Sequence, residues 1–187
     1  MKKTILLLFL AALSAFATPG QAQADDIPEP GDTMPELAMV RPGLEQDLAG
    51  LGIEPGPDTF SLADLTQSGA ELILFEVIGV YCPFCHEQAP LFNNLHKRLA
   101  RSGLDTRVRM LAVASGATEQ EIEHLRKHSD YAYPLLRDQD YSLHAALGEP
   151  QTPFTLLIKS DGTIAYTHLG VIKDIDLLFT RIKEELD

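Results

Sequence analysis

Hydrophobic and polar positions alternate between two rhythms along the chain, and each rhythm marks an element. Leu72 to Val77 is a short apolar run, the pattern of a buried strand. From Pro83 to about Arg101 the period lengthens to that of a helix, with Leu91, Leu95 and Leu99 every four residues and Phe92 beside them. Ser102-Gly103 ends it. Arg107 to Ala114 predicts a second strand, carrying Val108, Met110, Leu111 and Val113. Thr118 and Glu121 form a capping box for a helix from Glu119 to about His128. A short strand at Tyr133–Arg137 and a short helix at Tyr141–Leu147, closed by Gly148, follow. Phe154–Lys159 and Thr163–Leu169 are apolar runs joined by Ser160-Asp161-Gly162, a strong hairpin signal. A last amphipathic helix spans about Asp174 to Leu186, with Ile175, Leu178, Phe179 and Ile182 on one face. This order predicts an α/β fold with a mixed sheet covered by helices.

The chain before Leu72 reads differently. Lys2, Lys3, an apolar run from Ile5 to Ala17 and the Ala22-Gln23-Ala24 triplet predict an export signal over residues 1–24, cleaved near Ala24. The run is short for a membrane span, which needs roughly 20 apolar residues, although an uncleaved anchor is the rival reading. Residues 25–57 are rich in Pro and Gly and are expected to be mostly loop, with a short strand near Glu36–Val40. Ser61–Leu65 resembles a short capped helical turn. The division is therefore signal 1–24, extension 25–57 and domain 58–187.

Composition narrows the function. Fifteen Lys and Arg against 27 Asp and Glu give a net charge of −12. A broad basic face for nucleic acid is disfavoured on that balance, because the acidic excess repels phosphate. Taking off 24 residues, two of them lysines and none acidic, leaves 163 residues at −14. Two cysteines are too few for a disulfide scaffold or a cysteine-rich zinc site. The signal implies a periplasmic or other exported setting, where disulfides persist.

Those two cysteines stand in Cys82-Pro83-Phe84-Cys85, between the predicted strand and the helix it leads into. Two intervening residues let both sulfurs meet across one helical turn. Pro83 suits a first helical position, where its missing N–H costs nothing. A sulfur at the helix start meets free N–H groups and the positive end of the macrodipole, which stabilise a thiolate. The thiolate is the attacking species in thiol–disulfide exchange. Cys82 is thus the expected nucleophile and Cys85 the resolving thiol. A structural bridge and half of a metal site are the competing readings. The first would remove little unfolded-state entropy from so short a loop, and no second Cys or His pair completes the other. His124 and His128, four apart on a predicted helix, have metal-compatible spacing among charged neighbours that point to a solvated face.

The stretch "LILFEVIGVYCPFCHEQAP" resembles the active-site region of the thioredoxin superfamily, and Gln151-Thr152-Pro153 before "FTLLIKSDGTIAYTHLG" is similar to its later half. With the signal, "GDTMPELAMV" and "FSLADL", the chain looks like the TlpA/ResA/CcmG branch of exported thiol–disulfide oxidoreductases. The resemblance implies a thioredoxin-like fold with an N-terminal extension and a central insert. It implies a cis Thr152–Pro153 bond against the dithiol, with an ordinary trans turn as the alternative. It also implies that Glu76 is a buried acid beneath the sulfurs, exchanging a proton with Cys85, unless the side chain points outward at a strand edge. Pro90 matches the kink of the active-site helix. Tyr81 replaces the usual Trp, the Pro83-Phe84 pair resembles that of some glutaredoxins, and Gln88 stands where some members of the branch have a functional Glu. His86 could favour the thiolate or simply be exposed. The implied activity is reduction of protein disulfides, fed by a membrane thiol donor, with no cofactor beyond the Cys82–Cys85 redox disulfide. Possible roles are cytochrome c maturation and periplasmic thiol homeostasis. An oxidase or isomerase of the DsbA/DsbC kind and a binding module with a static disulfide are the alternatives.

Overall fold

A computed structural model describes residues 27–129 and 131–187. The export signal expected over 1–24 lies outside the described residues. In chain order the elements are β1 (Met39–Val40), α1 (Glu45–Leu51), β2 (Thr59–Phe60), α2 (Leu62–Gln67), β3 (Leu72–Gly79), α3 (Pro83–Arg101), β4 (Val108–Ser115), α4 (Glu119–His128), β5 (Leu135–Asp138), α5 (Ser142–Ala146), β6 (Phe154–Lys159), β7 (Ile164–Leu169) and α6 (Ile175–Leu186).

The main sheet runs β5-β4-β3-β6-β7. β3, β4 and β5 are parallel, with β6 antiparallel to β3 and β7 to β6. Parallel neighbours need helical crossovers, which α3 and α4 provide. β3 is central and buried on both faces, which is why its sequence is nearly continuous apolar residue. Leu72, Leu74 and Ile78 share a core with Phe92, Leu95 and Leu99 of α3, Ile122 and Leu125 of α4, and Leu178 and Ile182 of α6. Ile73, Phe75 and Val77 share the other core with Leu51, Leu65, Leu143 and Leu147. Each such side chain contributes about 1.5–3 kcal/mol on full burial. The β6–β7 turn is the expected one. Gly162 adopts φ +86 and its N–H bonds to Lys159 O at 2.9 Å.

Two details differ from expectation. The buried stripe of α3 is Phe92, Leu95 and Leu99, while Leu91 is only half-buried. At about 100° per residue, a four-residue step overshoots a full turn by about 40°, so Leu91 drifts to the edge of the stripe. The stretch expected to be mostly loop contains α1, whose Leu48 and Leu51 are buried. Gly43, Gly50 and Gly52 hide this seven-residue helix, about two turns long, in the sequence. The helix ends at Gly52, whose φ of 70 suits glycine.

The α1 helix is anchored by charge as well as by leucine. Buried Asp47 receives the Arg126 guanidinium of α4, and Arg126 Nη2 also donates to Leu135 O at 3.0 Å. Burial pushes the Asp47 carboxyl above its ordinary value against the opposing pull of Arg126. Asp47→Ala would leave that guanidinium largely buried without its carboxylate. Unfolding in urea is expected to show a loss of about 3 kcal/mol with an unchanged slope. A loss within about 0.5 kcal/mol would mean the pair does not anchor α1.

Candidate active site

The dithiol lies where β3 turns into α3. Cys82 is the residue that caps α3, with φ −80 and ψ 114, and Pro83 is the first helical residue. The Cys85 N–H donates to Cys82 Sγ at 3.2 Å, so the sulfur occupies the place of a capping oxygen. The turn is tight: Cys82 N–H donates to Gly79 O at 3.2 Å. A Cβ on Gly79 would sit 3.3 Å from both Cys82 Cβ and Thr152 Oγ1, closer than ordinary contact. Glycine there lets the turn approach the loop before β6. That loop carries the Thr152–Pro153 bond, which is cis as the resemblance implied. Cys82 Sγ donates to Thr152 O at 3.4 Å, so two motifs 70 residues apart meet at one sulfur.

The two thiols have opposed environments. Cys82 is half-buried and Cys85 fully buried, and both are free. Burial works to raise the Cys82 pKa. Hydrogen bonds from Cys85, from Thr152 and from the N–H groups of Cys85 and Phe84 outweigh it, leaving the thiol below its ordinary value. Burial pushes the Cys85 thiol well up, and the bond with Cys82 adds to this. The surroundings therefore favour a thiolate at Cys82 and a thiol at Cys85.

Glu76 points inward. It is 1% exposed in the middle of β3, on the face that carries Ile78 and faces α3. Gln88 Nε2 donates to its Oε1 at 2.7 Å and the Tyr133 hydroxyl to its Oε2 at 2.6 Å. Burial raises its pKa to about 7 against the lowering effect of those bonds. Three residues of this neighbourhood escaped the sequence reading as site residues. Gln88 follows Cys85 by three, a same-face interval on a helix, and the resemblance marked it only as a departure from a functional Glu. Tyr131 and Tyr133 stand two apart in the segment before β5, which begins at Leu135 rather than at Tyr133 as expected, and both are buried in the core that holds Cys85. Nothing local announced that they reach β3.

The flanking residues lie outside. Tyr81 is 78% exposed, its hydroxyl donating to Glu121 Oε1 at 2.9 Å, and Phe84 is 59% exposed. The exposed His86 bonds through Nδ1 to Ser129 Oγ at 3.0 Å, and Glu87 pairs with Lys173 at 3.6 Å. Pro90 is exposed within α3. His124 and His128 are exposed and stacked at 4.2 Å.

A central mixed sheet, a cysteine-capped helix after its middle strand and a cis-proline facing that cap define a thioredoxin-like fold. The chain belongs to the Redoxin family, whose profile matches residues 29–179. A sequence search of curated proteins finds no match. Among solved structures, a Chlorobium tepidum protein assigned as thiol:disulfide interchange protein DsbE superposes with a TM-score of 0.63 at 17% identity, covering 85% of this chain and 99% of that one. A secreted Mycobacterium tuberculosis disulfide oxidoreductase, described as homologous to E. coli DsbE, gives 0.54 at 17% identity over 73% of this chain and 98% of that one. StoA from Bacillus subtilis gives 0.52 at 17% identity over 60% and 83%. At these identities the likeness is one of fold.

The Glu76 environment has a consequence for stability. Its pKa is near the ordinary 4.5 in the unfolded chain and about 7 in the fold, so the folded state holds the extra proton between those values. Its favourable contribution is full below the unfolded pKa and is lost as pH rises through the folded one. Relative to Glu76→Gln, which does not titrate, the native protein is expected to lose about 3 kcal/mol of unfolding free energy between about pH 4 and about pH 8. Parallel stability curves for the two proteins would contradict a buried, titrating Glu76.

Proposed function

We propose that the chain is an exported thiol–disulfide oxidoreductase that reduces disulfides in client proteins through Cys82 and Cys85. The observation that carries this reading is the pairing of an accessible cap sulfur, held low in pKa, with a buried thiol one turn behind it. Membership of the Redoxin family supports it.

The chemistry follows from that arrangement. Cys82 thiolate attacks one sulfur of a client disulfide. A Cys82–client bond forms, and the other client sulfur leaves as a thiolate that takes up a proton. Cys85 then gives its proton to ionised Glu76 and attacks Cys82 Sγ. The Cys82–Cys85 bond closes and the second client sulfur leaves. Two electrons have passed from the dithiol to the client. Pro83 fixes the helix start, while Thr152 and Pro153 shape the backbone beside the sulfur against which an incoming chain would lie. Exposed Tyr81 and Phe84 offer apolar contact beside the sulfur. The dithiol is the sole redox group in this scheme. Reset requires an external dithiol, for which a membrane thiol carrier is the proposed donor, and apocytochrome c with its cysteines paired as a disulfide is proposed among the clients. Export through residues 1–24 to the periplasm completes the reading. It is supported by the sequence of that segment and by the secreted character of the Mycobacterium tuberculosis neighbour.

The test is a trap. Cys85→Ser, offered a disulfide-bonded peptide, is expected to accumulate a mixed disulfide on Cys82, while the native protein resolves it and releases two thiols. Absence of any adduct on Cys82 would overturn the reading. Redox titration then sets direction: a potential near that of thioredoxin, about −270 mV, accords with reduction, whereas one near about −120 mV would make the protein an oxidant.

A further inference from the structure

The hold on Glu76 is asymmetric at its two oxygens. Gln88 donates to Oε1, and its own side-chain carbonyl accepts the Ile172 N–H at 2.7 Å. Turning the amide over would break both bonds, so the Gln88 face of the carboxyl meets only N–H donors. A proton placed there would have no acceptor in Gln88. The Tyr133 hydroxyl on Oε2 is different, because a hydroxyl can donate or accept. On the strands beside Glu76, the paired positions are Ala112 and Thr155.

We propose that Tyr133 is the positioning residue of Glu76: its hydroxyl holds Oε2, where the carboxyl gains and loses its proton, while Gln88 locks Oε1. With Glu76 ionised, Tyr133 donates to Oε2. When a proton arrives, it bonds to Oε2 and the hydroxyl rotates to accept it, keeping its own hydrogen. Tyr133 stays neutral throughout, since burial and the neighbouring Glu76 charge push its ionisation far up. The other titratable groups in this neighbourhood are Cys82 and Cys85 at the start of α3, His96 further along α3 with its ring 6.0 Å from that of Tyr133, and Tyr131 with its ring 5.6 Å away. The buried Tyr131 hydroxyl has no hydrogen-bond partner among the described residues, which makes it the control. The proposal deepens the relay above and rests on it only for its effect on exchange.

The experiment follows the Glu76 side-chain carboxyl by carbon-13 NMR through a pH titration of the whole protein. Alongside it, the pH profile of Cys85 attack on a Cys82 mixed disulfide is recorded. Tyr133→Phe keeps the ring that packs 6.5 Å from Phe92 and removes only the hydroxyl. Its carboxyl midpoint is expected to rise by about one pH unit, a tenfold gain in proton affinity, and the exchange profile to move with it. Tyr131→Phe is expected to move neither. A Tyr133→Phe midpoint equal to the native one overturns the proposal whatever the activity. A raised midpoint with an unmoved exchange profile supports the hold of Tyr133 on Glu76 and overturns the proton relay instead.

Discussion

One hydrogen bond, from the Cys85 N–H to Cys82 Sγ at 3.2 Å, joins the fold to its chemistry. An α-helix leaves its first N–H groups without partners, and a side chain must serve them. Here the serving atom is sulfur. The helix start is thus set by the group that the proposed reaction exposes, and stabilising one stabilises the charge on the other. The surrounding architecture meets this requirement. β3 delivers the chain to the turn, Gly79 lets the turn close, Pro83 begins the helix without wasting a donor, and the cis Thr152–Pro153 segment brings a carbonyl to the sulfur.

From that cap inward the environment changes within one helical turn. Cys82 sits among donors and is partly open to water, while Cys85 sits in the apolar core between β3 and α3. Neighbouring titratable groups with pKa values driven apart are the usual mark of divided roles. Glu76 adds a third such group, with a proton affinity near neutrality, on the same face of the sheet. It is tolerated there because both oxygens are hydrogen-bonded, which offsets part of the cost of burying a carboxylate. Exposed ion pairs such as Lys127 with Glu123 contribute little by comparison.

What could be read from the sequence follows the range of the interaction. The Cys82–Cys85 spacing, the Pro83 start, the Thr118–Glu121 capping box and the Asp161-Gly162 turn are local, and local chemistry specifies them. The mixed sheet covered by helices followed from element order, and its thioredoxin-like form from the resemblance. The cis-proline and the inward Glu76 came from resemblance alone, because neither spacing nor periodicity orients a lone acid in an apolar strand. Tyr133 reaches Glu76 from 57 residues away and Gln88 ties it to Ile172 across 84, so no window of sequence contains either contact. The α1 helix was hidden by its glycines, and Leu91 by the drift of a four-residue count on a 3.6-residue helix. The exposure of Tyr81, and its anchoring by Glu121, depends on where α4 lies relative to the turn.

The central claim is that one fold gives two adjacent thiols opposite characters. Alkylation of the reduced protein with iodoacetamide across pH, with each cysteine quantified by mass spectrometry, tests it most directly. Cys82 is expected to react with a midpoint below that of an ordinary thiol, while Cys85 stays unmodified until the protein unfolds. Equal reactivity of the two cysteines, or modification of Cys85 first, would contradict it.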